Sequence, residues 1–122
     1  PGAGGPVDDY WLYPTRSDSA PGNSVGAGTN QANYFASGFA VTQSSNYSAS
    51  QNYLTQGGAF SNSGSYYGTF DQGGNVWEWN DAVIGSFRGL RGGSWFDDAI
   101  SMQSTNRVGE LPTSEYSLVG FR

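Results

Sequence analysis

The sequence predicts an irregular, loop-rich α+β domain with short antiparallel strands and little helix. Three observations carry that expectation. Glycine is abundant, at 19 of 122 residues, while Leu, Ile and Val are scarce. Aromatic residues make up 16% of the chain, as four Trp, eight Tyr and seven Phe. No helical periodicity runs longer than about two turns. Aromatic side chains each bury a large area, so such a chain can build a core, but one carried by loops. The length is that of one domain or part of one.

Residues 1–6 form a Gly/Pro-rich lead-in that reads as loop. Tyr10-Trp11-Leu12-Tyr13 precedes Pro14 and is expected to be extended, since the residue before proline disfavours the helix. A core strand or arm over residues 7–13 follows. Residues 15–30 are polar and turn-rich, punctuated by Pro21-Gly22-Asn23 and Gly26-Ala27-Gly28. Asn30, Asn33 and Tyr34 come next. Amides and carbonyls this close either ligate Ca²⁺ or satisfy turns. Phe39-Ala40-Val41 is a candidate short strand. Residues 43–56 read as a long surface loop. Asn46-Tyr47-Ser48 within it fits the N-glycosylation triplet, which matters only in a glycosylating host. Residues 57–70, with Phe60, Tyr66, Tyr67 and Phe70, read as packed loop.

The densest stretch is Asp71-Gln72-Gly73-Gly74-Asn75-Val76-Trp77-Glu78-Trp79. Its turn supplies carbonyls and positive-φ positions that Gly and Asn adopt cheaply. In an extended segment Trp77 and Trp79 share one face, Val76 and Glu78 the other. A Glu among large aromatics is rarely buried without a partner, so either an arginine (Arg88, Arg91 or Arg107) or a metal ion is expected to neutralise Glu78. Downstream, Ala82-Val83-Ile84 is apolar and Gly85-Ser86 is a turn. Phe87 to Arg91 alternates like a strand, and Gly92-Gly93 permits close backbone approach. Asp97-Asp98 opens a polar segment. Residues 105–108 and 118–122 are further strand candidates, and residues 112–116 are loop. Arginines beside the aromatics are expected to pair with buried carboxylates or stack on Trp faces.

The chain has no His and no Cys, and its net charge is −5. That charge disfavours nucleic acid or an anionic membrane as partner. Without Cys there is no disulfide framework, thiol chemistry or cysteine zinc site. Without His the commonest general base and metal ligand is missing. A hard, oxygen-ligated cation such as Ca²⁺ remains open. The composition, rich in Ser, Asn, Gly, Thr and Tyr, suggests an exported or cell-surface protein. No transmembrane run or leader lies within the chain, so an export signal is expected upstream of Pro1.

Four blocks carry a resemblance: Gly74-Asn75-Val76-Trp77-Glu78-Trp79, then Arg88-Gly89-Leu90-Arg91-Gly92-Gly93-Ser94-Trp95, then Arg107, then Gly120-Phe121-Arg122. In order and spacing they resemble the formylglycine-generating-enzyme, or sulfatase-modifying-factor, family. The resemblance implies an irregular C-type-lectin-like fold. It implies that residues 1–122 are one domain, the C-terminal portion of a larger one whose N-terminal half is absent. It extends to an exported bacterial branch with the Tyr-Trp-Leu-Tyr-Pro-Thr stretch and a sorting tail, which would lie beyond Arg122. The family enzyme binds copper through two cysteines, and the matching positions here are Asp97 and Met102. Formylglycine generation by that mechanism is therefore excluded within this chain. The iron chemistry of thiohistidine-forming relatives uses histidine, also lacking here.

The resemblance also implies a structural Ca²⁺ site formed by the Asp71 side chain, the Gly74 and Val76 carbonyls and the Glu78 side chain. A second would use the Asn33 side chain and the Tyr34 carbonyl, completed from residues 50–53. Three functions follow as expectations. The first is a non-catalytic extracellular or cell-surface module for structure or binding, possibly self-assembling. The second is a metal-dependent enzyme completed by the missing half. The third is a variable receptor of the same fold, binding carbohydrate or protein. Upstream sequence, or neighbouring copies, is expected to pack on Trp77, Trp79 and Trp95.

Overall fold

The two densest segments of the sequence pair with each other. In the computed structural model, which describes residues 10–121, Trp77–Ile84 forms strand β1 and Phe87–Arg91 forms strand β2. They run antiparallel, with Glu78 opposite Arg91 and Trp79 opposite Leu90. Gly85-Ser86 closes the hairpin between Ile84 and Phe87, and Gly85 sits at φ 62°. A glycine at positive φ in the first central position suits the twist of a two-residue hairpin. The register shifts between Trp79 and Val83. There Asn80 folds its side chain back, its Oδ1 accepting from Ala82 N at 2.9 Å. Space for this comes from Gly89, where a Cβ would lie 2.4 Å from that same oxygen.

Val108–Glu110 (β3) pairs antiparallel with β2. Val119–Gly120 (β4) lies at the opposite edge and pairs parallel with β1, giving the order β3-β2-β1-β4. The sheet is thus mixed, where only antiparallel pairing was expected. After β3 the chain crosses to the far edge and enters beside β1 in the same direction, anchored by Trp77 N donating to Leu118 O at 2.7 Å.

Most of the chain outside the sheet is turn and loop, as the glycine content implies. Phe39-Ala40-Val41 is not a strand. Gln43, at φ 54°, donates from its N to Phe39 O at 2.8 Å and from Nε2 to Ala40 O at 2.8 Å, closing a turn. Tyr10 to Tyr13 forms no strand either, and Tyr13 N instead donates to Ser17 O at 2.9 Å. The rest of that expected element, residues 7–9, lies outside the described residues, as does Arg122. The strand expected over residues 105–108 begins only at Val108, because Asn106 N turns back to Gln103 O. A short 3₁₀ helix, Ala99–Met102, occupies the polar segment and is capped by Asp98 Oδ1, which accepts from Ile100 N and Ser101 N. Among the described residues no helix is long and apolar enough to cross a membrane.

Two clusters form the core. Tyr13, Ala32, Tyr34 and Met102 pack together, flanked by Leu12 and Ala99. Beside them Phe39, Tyr53 and Trp95 stack, with Trp95 parallel to Tyr53 at 4.7 Å between ring centres.

Candidate functional site

The turn before β1 is where the loops meet. Asp71, Gly74 and Asn75 all adopt positive φ, at 58°, 74° and 69°. Gly74 is obligatory for a second reason: a Cβ there would lie 2.2 Å from the Asn33 carbonyl oxygen. Three main-chain bonds stitch the turn to two distant segments. Gly74 N donates to Gly92 O at 2.7 Å, Asn75 N to Asn33 O at 2.8 Å, and Trp95 N to Asn75 O at 3.0 Å. The expected close approach at Gly92-Gly93 is this contact.

Asn33 and Asn75 lock side chain to side chain. Asn33 is 1% exposed. Its Nδ2 donates to Tyr53 O at 2.8 Å and to Asn75 Oδ1 at 2.9 Å. Asn75 Oδ1 also accepts from Thr55 N at 2.9 Å. Asn75 is the hub that the sequence reading passed over. Its signal was an Asn placed after a Gly-Gly pair, where αL backbone is cheap and a short amide can bridge loops.

Two oxygens in this region stand out. Asn33 Oδ1 and Asp71 Oδ1 are buried without a hydrogen-bond partner. The other Asp71 oxygen accepts from Gly58 N. A buried, unpaired acceptor costs free energy on the order of 1–3 kcal/mol, more for a charged group. Both belong to side chains expected to ligate Ca²⁺. Among the described turns and loops, no hydrogen bond ends on the Gly74 or Val76 carbonyl. The Tyr34 carbonyl accepts from Asn23 Nδ2 at 3.2 Å, which leaves one lone pair. These donors are all hard oxygens, the set a Ca²⁺ ion takes. The described residues contain no group of three or more His, Cys, Asp or Glu side chains placed for a metal, so carbonyls and amides would supply much of the ligation. Glu78 is half-buried on β1, opposite Arg91 in the ladder. Residues opposite one another in a ladder project from the same face.

The positions matching the family's cysteines are both committed to structure. Asp97 Oδ2 accepts from Trp77 Nε1 at 2.8 Å, from Ser94 N at 3.0 Å and from Ser94 Oγ. The Asp97 carbonyl accepts from Phe35 N at 2.9 Å. Met102 is 2% exposed within the first core cluster. Of the arginines expected to pair with carboxylates or stack on Trp faces, Arg122 lies outside the described residues. Arg91 Nη1 donates to the carbonyls of Ser104 and Asn106, at 2.7 and 3.1 Å, and not to a carboxylate. Arg88 and Arg107 are exposed. The half-buried carboxylate of Asp97 is instead satisfied by the neutral donors Trp77 Nε1, Ser94 N and Ser94 Oγ.

Residues 3–122 match the sequence profile of the sulfatase-modifying factor enzyme 1-like domain. Over 65 residues, 46% of the chain, the sequence is 40% identical to the inactive C-alpha-formylglycine-generating enzyme 2 of Bos taurus, covering 22% of that protein. Over 65 residues it is 38% identical to the Mus musculus protein of the same name, again over 46% of the chain and 21% of the relative. The match therefore spans about a fifth of these curated relatives. Among solved structures, Treponema denticola variable protein 1 aligns at 34% identity with a TM-score of 0.44, over 48% of this chain and 27% of that one.

Proposed function

This chain belongs to the sulfatase-modifying factor enzyme 1-like family, and from that premise we propose that it is a non-catalytic member acting as a calcium-pinned binding module. Short strands set among long loops, with almost no helix among the described residues, fit the C-type-lectin-like fold that the resemblance implies. One observation carries the proposal. The two positions that hold copper-binding cysteines in the enzyme hold Asp97 and Met102 here, each fixed in a structural contact. Neither a carboxylate bound by three donors nor a core thioether replaces a pair of thiolates, since the thiolate is the soft ligand that copper(I) selects. The relatives whose names call them inactive agree with this reading.

Calcium is assigned a structural role. Asp71, Gly74, Val76 and Glu78 would hold one ion, with Asn33 and Tyr34 contributing to a second. When bound, the cation satisfies acceptors that the loops leave unpaired, Asp71 Oδ1 and Asn33 Oδ1. These residues' own part is to tie three loops at one point. The composition, rich in Ser, Asn, Gly, Thr and Tyr with few charges, favours an exported, extracellular or cell-surface setting, and the partly exposed Trp faces favour packing against other copies or against further chain.

The full-length protein, loaded with copper and offered a cysteine-containing sulfatase peptide in air, is expected to leave the cysteine unmodified by mass spectrometry. Metal analysis of the same material is expected to find calcium. Formylglycine in the peptide, or copper or iron at stoichiometric occupancy, would overturn the proposal.

A further inference from the structure

A second feature lies on the other side of Met102. A cleft of about 400 Å³ is bounded by the indoles of Trp11 and Trp79 and by the rings of Tyr10, Tyr66 and Tyr67. That volume falls within the roughly 300–1,000 Å³ typical of small-ligand sites. Tyr66 and Tyr67 meet edge to face, with ring centres 5.3 Å apart, and Tyr67 is 76% exposed. Large aromatic faces left this open on a folded surface carry a cost unless a ligand covers them.

Part of the polar lining is unused. Among the described residues, neither Trp11 nor Trp79 donates its indole N–H, whereas Trp77 gives its own to Asp97. Gln72 and Asn80 also line the cleft. The Gln72 side chain makes no hydrogen bond to a described residue, and Asn80 uses only its Oδ1. Each amide group offers two donors and a two-lone-pair acceptor. Arg91 stands at the wall with Nη1 held by two backbone carbonyls, so its guanidinium is fixed in place. Among the described residues the charged ones of the lining are Glu78 and Arg91, one of each sign, which stand opposite each other across the ladder.

Flat apolar faces, amide donors and acceptors, fixed N–H groups and a balanced charge select a neutral polyol with apolar faces of its own. We infer that this cleft binds a neutral saccharide, its ring faces against Trp79 and Tyr67 and its hydroxyls on Gln72, Asn80 and Arg91. An anionic ligand is disfavoured by the net charge of −5. Of the residues proposed to hold calcium, Glu78 lines the cleft, while Asp71, Gly74, Val76, Asn33 and Tyr34 do not. The inference rests on the non-catalytic binding-module reading, and names its ligand.

The test uses the full-length protein and a panel of neutral oligosaccharides, α- and β-linked hexoses and N-acetylhexosamines, followed by titration calorimetry of the best binder. Tyr67→Ala is expected to weaken binding about 3- to 10-fold, the range for losing one aromatic stacking partner. Gln72→Ala is expected to weaken it several-fold. Both residues sit at the rim, so the variants keep the wild-type melting temperature and circular dichroism. Trp79→Phe retains a ring but loses the indole donor, and gives an intermediate loss. Three results would overturn the inference: no saccharide bound at millimolar concentration, saccharide bound equally by wild type and rim variants, or an unstructured peptide library displacing nothing but binding the same rim residues itself. Peptide conversion in the copper assay sinks the non-catalytic reading. A protein that converts nothing and binds no saccharide sinks only this one.

Discussion

The turn at Asp71–Asn75 and the cleft at Trp79 lie a few residues apart, yet they treat polar groups in opposite ways. In the turn Gly74 N, Asn75 N and Asn75 Nδ2 all donate, and among the described residues the buried side-chain groups left over are two acceptors, Asn33 Oδ1 and Asp71 Oδ1. In the cleft the polar groups left over are accessible, and most are donors. Buried acceptors without donors suit the resident cation we propose. Accessible donors beside aromatic faces suit a ligand that comes and goes. Trp77 and Trp79 show the contrast within one strand. They share a face, but one gives its N–H to Asp97 and the other keeps it.

The comparison can be broken from either side. The largest effect is expected at Gly74. Gly74→Ala places a Cβ against the Asn33 carbonyl at positive φ, and is expected to cost about 3–5 kcal/mol or abolish folding, by denaturant unfolding of the full-length protein. Chelation comes next. Removing calcium is expected to lower stability by about 2–4 kcal/mol, as for a ligand present at 100- to 1,000-fold its dissociation constant, and Asp71→Asn is expected to abolish the calcium-dependent shift in melting temperature. Third, Trp77→Phe is expected to destabilise more than Trp79→Phe by about 1–2 kcal/mol, since only the first removes a hydrogen bond to a carboxylate. Equal effects would erase the distinction between the two tryptophans.

A smaller effect concerns alkaline pH. Burial, with the neighbouring Tyr13 adding to it, raises the Tyr34 pKa above the ordinary tyrosine value of about 10. The neutral phenol donates to the Pro21 carbonyl. Its contribution is therefore complete below about pH 10 and is lost as pH rises through the folded-state pKa. Tyr34→Phe is expected to flatten that alkaline loss in a pH series of melting curves, at a cost of about 1 kcal/mol at neutral pH. The smallest effect on stability is expected for Tyr67→Ala, within about 0.5 kcal/mol, as befits an exposed ring.

Much of this was legible from local chemistry. Glycine and aromatic content announced loops with an aromatic core. The Gly85-Ser86 turn and the strand from Phe87 to Arg91 were legible locally, while the pairing of that strand with Trp77–Ile84 was seen only in the fold. The Gly-Gly-Asn turn announced positive φ. What escaped depended on distant partners. Phe39-Ala40-Val41 has strand-forming residues, but Gln43 captures its carbonyls, Phe39 O with the backbone N and Ala40 O with Nε2. β4 pairs parallel because of a crossover that no local pattern encodes. The cleft joins Trp11, Tyr67, Trp79 and Arg91 from separate segments, so no spacing in the sequence reveals it. The hydrogen bonds that hold Asp97 come from Trp77, twenty residues upstream, and from Ser94, and no local pattern announced the first.

The central claim is that the positions around Asp71 hold a cation while the family's reactive positions hold none. Calorimetric titration of Ca²⁺ into chelator-treated full-length protein tests it most directly. Saturable binding that disappears in Asp71→Asn, with folding retained, is the predicted result. The absence of any calcium-dependent heat in the folded wild-type protein would contradict it.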